Sequence, residues 1–261
     1  MNYLVDTHAH LDMQPLAGNL PEVLERARQA DVAQVITIGI DEQSSRKAVD
    51  IAVRHPNVFS SVGVHPHDAA NADQEVIDRL KALCEKNPDA VVAWGEVGLD
   101  YAKEYSPRKV QRHLFALQIV AACEMGLPLI IHARDANDDA LDILSAELKP
   151  GCTGVFHCFS GDTAVAERVL DQGFHISVTG VVTFKNAEVT RQVVAYVPEG
   201  RLLVETDAPF LSPVPFRGKS NEPARVRLVA EEVARVRNIS LEEAMQCTTR
   251  NAQDLFALPR L

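Results

Sequence analysis

Six side chains in this sequence have the types and positions of a metal centre: His8, His10, Glu96, His132, His157 and Asp207. In Asp6-Thr7-His8-Ala9-His10 the histidines stand two apart, and the period of a β-strand turns both toward one face, where they can chelate one ion. An isolated His-x-His is more often a pair of solvent-facing rings; at the end of a first strand, among further candidate ligands, chelation becomes the better reading. Glu96 closes the apolar run Val91-Val92-Ala93-Trp94, where an ionised carboxylate is costly unless a cation or hydrogen-bond donors meet it. His132 follows Pro128-Leu129-Ile130-Ile131, and His157 follows Gly154-Val155-Phe156. Either alone reads as a satisfied core histidine. In Glu205-Thr206-Asp207-Ala208-Pro209, alternation sends both carboxylates to one face. Asp207, nearer the tip, is assigned to the ion and the attacking water, and Glu205 to a supporting position grouped with the substrate contacts.

Four histidines with two or three carboxylates suit Zn, Mn, Fe, Ni or Co and tolerate Mg. With more than four ligands, two divalent ions bridged by Glu96 fit, and ions about 3.5 to 4 Å apart can stabilise the attacking and leaving oxygens of a phosphoester. Other chemistries lack their signatures. The sequence has no Ser/His/Asp arrangement and no glycine-rich phosphate loop. Cys158 is expected to point away from His157 as a packed thiol.

Placing these groups together requires a scaffold that gathers strand ends. Runs rich in β-formers recur at residues 3–10, 34–40, 58–65, 90–97, 127–133, 153–159, 174–180 and 202–207. Helix-length amphipathic segments separate them, as with Val110, Leu114, Leu117 and Ala121. Asp162 is placed to cap a helix ending near Gly173, and Ser240 with Glu243 has capping-box spacing. Each candidate ligand sits at the C-terminal end of its run. In an open sheet the first and eighth strands would lie far apart; closure makes them neighbours, so the expectation is a TIM (β/α)8 barrel forming a single domain over residues 1–261. His65 and His67, past the third strand, are candidate substrate contacts on the same face. Arg134, Lys185, Arg217 and Lys219 are candidate phosphate contacts, while Asn221 with Glu222 and Pro223 reads as an ordinary helix start. His55, His113 and His175 receive no function.

The chain has 261 residues, 46% of them hydrophobic and 24% charged, enough for one large core. Its opening residues carry no basic leader, and no segment supplies the roughly 20 consecutive apolar residues of a membrane span. Five cysteines form an odd set without Cys-x-x-Cys spacing, which predicts reduced thiols and a cytoplasmic setting. A net charge of -10 with no basic block excludes stable coating of duplex DNA, though not an enzyme gripping one strand end.

The ordered segments DTHAHLD, GVHPH, GEVGLDY, IHAR, HCFSG, ETDAPFL and RGKSNEP resemble the TatD family of metal-dependent deoxyribonucleases, over residues 6 to 223. The resemblance implies an amidohydrolase-type barrel with His8, His10, Glu96 and Asp207 on one metal and Glu96, His132 and His157 on the other. It further implies hydrolysis, often 3′ to 5′ at single-stranded DNA ends, with D-aminoacyl-tRNA or another ester as the alternative substrate. A non-catalytic metal-binding scaffold is the rival of a different class. Asp207, a carboxylate placed to activate water, argues against it. DNA ends are the expected substrate partner, neither stable duplex binding nor a membrane is expected, and the sequence leaves the oligomeric state open, a monomer being one option.

Overall fold

The computed structural model describes residues 3–261. Eight parallel strands follow chain order around one sheet. They are β1 (Leu4–Ala9), β2 (Val32–Thr37), β3 (Val58–Val62), β4 (Val91–Asp100), β5 (Leu129–Arg134), β6 (Gly154–Phe156), β7 (His175–Val178) and β8 (Leu202–Val204). Between them run α1 (Leu20–Gln29), α2 (Glu42–Arg54), α3 (Gln74–Lys86), α4 (Arg108–Met125), α5 (Asn137–Glu147), α6 (Thr163–Asp171) and α7 (Glu188–Tyr196). After β8 come α8 (Val226–Arg237) and α9 (Leu241–Phe256). The expected barrel is observed. Its seam is sealed by backbone bonds from Asp207 N to His8 O (2.8 Å) and from His10 N to Ala208 O (2.7 Å).

Two apolar cores follow from strand alternation. One lies between the sheet and its surrounding helices. The other takes Val5, Ile36, Phe59, Ala93, Ile130, Val155 and Leu203 from seven strands and joins them to Ala252, Leu255, Phe256 and Leu258. This second cluster fills the barrel interior, and α9 closes its floor: Asn251 Nδ2 donates to Leu202 O and Thr249 Oγ1 to Tyr3 O, both at strand starts. The opposite rim is therefore the end left for chemistry. No helix among the described residues is long and apolar enough to cross a membrane.

Several local expectations hold. Asp162 accepts from Val165 N to cap α6, and Ser240 with Glu243 forms a capping box on α9. Others are corrected. β4 runs on to Asp100, so Glu96 lies inside its strand rather than at the end, while β8 stops at Val204, short of Asp207. Asn221 does not cap α8; it is buried and donates through Nδ2 to Thr206 O, holding the segment after β8 against the barrel. Nor are all five thiols free. Cys123 and Cys152 are disulfide-bonded, their Cα atoms 5.5 Å apart. Residues 29 apart in sequence meet there because the last turn of α4 and the approach to β6 both lie at the floor end, a proximity no spacing rule could register.

The inward face of α4 also differs from its apolar pattern. Val110 and Leu117 sit at its edge, and Gln111 and Gln118 are buried among Leu114, Phe115, Ile119 and Ala122. The glutamines are tolerated because each hydrogen-bonds the backbone of a loop on the functional rim. Gln118 accepts from Val64 N (2.8 Å) and donates to Val64 O (2.9 Å), while its Oε1 also receives Trp94 Nε1 (3.3 Å). Gln111 accepts from Asp100 N and donates to Asp100 O and Ser106 O. A Gln118→Leu variant keeps the volume but leaves three buried polar groups unpaired, each costing about 1–3 kcal/mol. Denaturant unfolding is expected to show a loss of about 3 kcal/mol or more with the fold retained. A loss below about 0.5 kcal/mol would mean that water replaces the glutamine.

Candidate functional site

The bulge at Gly95–Val97 and the bond from Glu96 N to Gly39 O (2.9 Å) turn the Glu96 carboxylate into the barrel mouth. Its oxygens face different histidines. Oε2 stands 3.4 Å from His8 Nε2 and 3.9 Å from His10 Nε2, and Asp207 Oδ1 lies 3.6 and 3.4 Å from the same two nitrogens. Oε1 meets His157 Nε2 at 2.8 Å, His132 Nδ1 at 2.9 Å and His65 Nε2 at 3.4 Å. The six residues singled out as ligands thus converge around one carboxylate. His65, expected on the rim, stands with Glu96 and His132 as a further donor.

This donor set fits divalent cations. His8 Nε2 is fully buried and makes no hydrogen bond, although carboxylate oxygens stand on two sides of it. Ligands about 2.1 Å from a shared ion lie roughly 3.0 to 3.4 Å apart, which is the spacing of several of these pairs. His132 Nδ1 and His157 Nε2 likewise face each other at 3.2 Å, next to Glu96 Oε1.

A surrounding layer fixes the rings. Asp100 Oδ2 receives His132 Nε2 (3.2 Å) and His67 Nε2 (2.9 Å). Its Oδ1 accepts from Ala102 N and Lys103 N, so the carboxylate that orients two histidines also shapes the following turn. Gly98 allows the close strand contact below it: at φ +135°, an added Cβ would lie 2.0 Å from His132 O. Glu205 lies beside His157, with Oε1 3.3 Å from Nδ1 and accepting from Cys158 N at 2.7 Å. Across the seam, buried Asp6 accepts from Thr206 N (2.8 Å) and Oγ1 (2.6 Å).

The electrostatics suit bound positive charge. Burial pushes the Glu96 carboxyl up, but His157 and His65 charge and hydrogen bonds from His132 and His157 hold it well below the usual range. Asp207 is likewise raised by burial and lowered further by His10 and His8, ending below its ordinary value. Burial drives His65 down to about 4 despite Glu96. Asp6, with burial as the main cause, is pushed up to about 8.

A cavity of about 700 Å³ opens above this cluster. Its walls include His65, His67 and Arg134, as the sequence suggested, together with Lys103, Asp68 and Phe210. Glu205, expected among the substrate contacts, is 1% exposed and spends its oxygens behind His157. Lys185, Arg217 and Lys219 are exposed but are not on the wall. Arg217 instead lies over the Phe184 ring at 4.2 Å and Lys219 near Phe216 at 5.8 Å, because Phe210 and Leu211 occupy the cavity side of the loop after β8. Cys158 also departs from expectation: with φ at 43° just past β6 it faces the cavity, yet burial pushes its thiol up to about 12, which keeps it a poor nucleophile. Sequence reasoning missed Asp100, Lys103 and Phe210 as site residues. The alternation Glu96, Gly98, Asp100 was the available signal for the first.

Residues 5–257 match a family profile described as TatD related DNase. The uncharacterized metal-dependent hydrolase YabD of Bacillus subtilis is 41% identical over 255 residues, covering 98% of this chain and 99% of that protein. A protein of Erwinia amylovora named 3'-5' ssDNA/RNA exonuclease TatD is 33% identical over 261 residues, covering 98% and 100%. The crystal structure of YJJV, a TatD homolog from Escherichia coli K12, superposes with a TM-score of 0.92 at 31% identity over 98% of both chains. With the profile spanning almost the whole chain and these relatives matched from end to end, the chain belongs to the TatD family of metal-dependent hydrolases.

Proposed function

We propose that this hydrolase removes nucleotides from the ends of single-stranded DNA, in the 3′ to 5′ direction, using two divalent ions. The observation that carries the reading is Glu96, which directs one carboxylate oxygen to each of two histidine groups. His8, His10, Glu96 and Asp207 would hold one ion, and Glu96, His132 and His157 the other. Zn, Mn, Fe, Ni or Co suits these donors, and Mg is tolerated. When bound, such a pair supplies Lewis-acid stabilisation to the attacking and leaving oxygens of a phosphoryl displacement.

The protein's residues do the rest. Asp207, 14% exposed at its side chain and held ionised by its histidine neighbours, takes the proton of the attacking water. Arg134 and His67, on the wall, hold substrate phosphate oxygens. The exonuclease name of the Erwinia amylovora relative supports nucleic acid as the substrate class. The net charge of -10 supports a grip on a strand end in place of duplex coating. We take the enzyme to act as a monomer in the cytoplasm.

The decisive comparison is metal-replete enzyme on labelled linear single-stranded DNA, on a closed circle of the same sequence and on D-aminoacyl-tRNA. Linear DNA is expected to shorten from its 3′ end while the circle persists. Preferential turnover of the aminoacyl ester, or efficient cutting of the circle, overturns the reading. Binding to single strands should show a shallow log–log salt slope of roughly -1.5 to -3. A slope near -6 would reveal a larger phosphate footprint than the cavity provides.

Two substitutions separate holding the ions from orienting their ligands. Glu96→Gln removes the bridging charge, so metal content by mass spectrometry should fall and hydrolysis should be lost, with circular dichroism unchanged. Full occupancy with full turnover would remove Glu96 from the centre. Asp100→Asn leaves every proposed ligand in place but weakens the clasp on His132, and metal affinity should fall about 10- to 100-fold. Unchanged affinity would show that β5 packing alone orients that ring.

A further inference from the structure

Phe210 and Tyr105 are exposed aromatic rings, at 50% and 67%, in a chain that buries most of its large apolar side chains. Phe210 lies on the cavity wall, and Tyr105 lies beside a wall residue. Phe210 lines the wall, with its ring edge-on to His10 at 5.9 Å, and Tyr105 lies edge-on to the wall residue His67 at 4.6 Å.

Neither ring is out by looseness. Tyr105 belongs to a turn whose start is fixed by Ala102 N and Lys103 N on Asp100. Its end is fixed by Ser106, which donates to His67 O, receives Ala70 N and gives its carbonyl to Gln111. Phe210 N donates to Asp207 O, and Asn221 N donates to Pro209 O. The backbone at each ring is thus fixed, and the rings it carries are half or more exposed.

The cations nearby are equally distinctive. Across this acidic surface, arginines such as Arg26, Arg112 and Arg168 are neutralised by carboxylates. Lys103 and Arg134 line the cavity, and neither side chain is in an ion pair among the described residues. Positive charge left unpaired in a pocket, with exposed aromatic rings on its wall and beside it, is the combination that binds single-stranded nucleic acid: cations track the backbone while rings take bases without regard to sequence. A cavity of about 700 Å³ lies in the range, about 300–1,000 Å³, that encloses a ligand of this size.

We propose that Phe210 and Tyr105 are base-stacking platforms for two successive nucleotides, with Lys103 and Arg134 on the backbone phosphates of that strand end. This rests on the nuclease reading above and adds what the site grips. Because stacking ignores base identity, the enzyme reads strand flexibility and not sequence. A paired terminus must fray before its bases reach the rings.

The test is a cycle of ring removal against base removal, measured as binding of a fluorescent single-stranded oligonucleotide whose terminal linkages are phosphorothioates to slow turnover. For the intact enzyme, making either of the last two nucleotides abasic should weaken binding about ten-fold, equivalent to about 1.4 kcal/mol. Phe210→Ala and Tyr105→Ala should each weaken binding of the intact oligonucleotide similarly, and each should abolish the penalty for one abasic position only. Phe210→Trp and Tyr105→Phe should bind as the parent does. If ring and base losses multiply independently, or if the alanine variants bind normally, the platforms are refuted while end-cleavage of DNA stands. If the parent neither binds nor shortens single-stranded DNA, the nuclease reading fails and the platforms fail with it.

Discussion

The barrel mouth is organised by the cost of burying the Glu96 carboxylate. Glu96 is 3% exposed, and a charge so placed is sustained only by groups that face it from every side. The structure answers with five imidazoles from four strand ends. Those imidazoles also need orienting partners, supplied by Asp100, Glu205 and Asp207. Polar groups therefore extend outward in layers from one carboxylate, and each layer recruits another strand or loop. The arrangement accepts cations because positive charge satisfies the carboxylates at its centre.

The supporting layer reaches into the helices. Gln111 and Gln118 leave the apolar pattern of α4 to hold the backbone at Asp100 and Val64, directly beside Lys103 and His65. Asp100 is shared further, with one oxygen on His132 and His67 and the other on the turn that carries Tyr105. The donor cluster and the cavity entrance are thereby coupled: displacing this carboxylate disturbs both the ring of His132 and the shape of the entrance. That coupling explains why β4 is longer than its neighbours, since it must travel from Glu96 to Asp100 to serve both.

The fold and the candidate donor residues were legible from the sequence because they rest on local periods. Alternation put His8 beside His10, and the apolar runs before Glu96, His132 and His157 marked strands, although β4 and β5 run on past Glu96 and His132. The loops were less legible. Arg217 and Lys219 carried the right charge in a suitable segment, but the path after β8 turned Phe210 and Leu211 inward and left Arg217 stacked on Phe184. Asn221 resembled a helix cap because its use, bonding Thr206 O, depends on a contact 15 residues back. The Cys123–Cys152 bond lay out of reach for a similar reason, as it depends on two segments meeting at the floor. Local patterns reveal elements; the partners of a loop side chain are set by tertiary geometry.

The seam joining β1 to β8 has a consequence for how the molecule comes into being. His8 and Asp207 stand at opposite ends of the chain's barrel sequence, and Asp6 reaches Thr206 across a separation of 200 residues. The floor is closed later still, by Leu255, Phe256 and Leu258. During synthesis, histidines made first must wait for a carboxylate made late, and no nascent chain that stops before Asp207 contains the complete donor set. Completion of the donor cluster is thus deferred until β8 has been made, and closure of the floor beneath it until α9 follows.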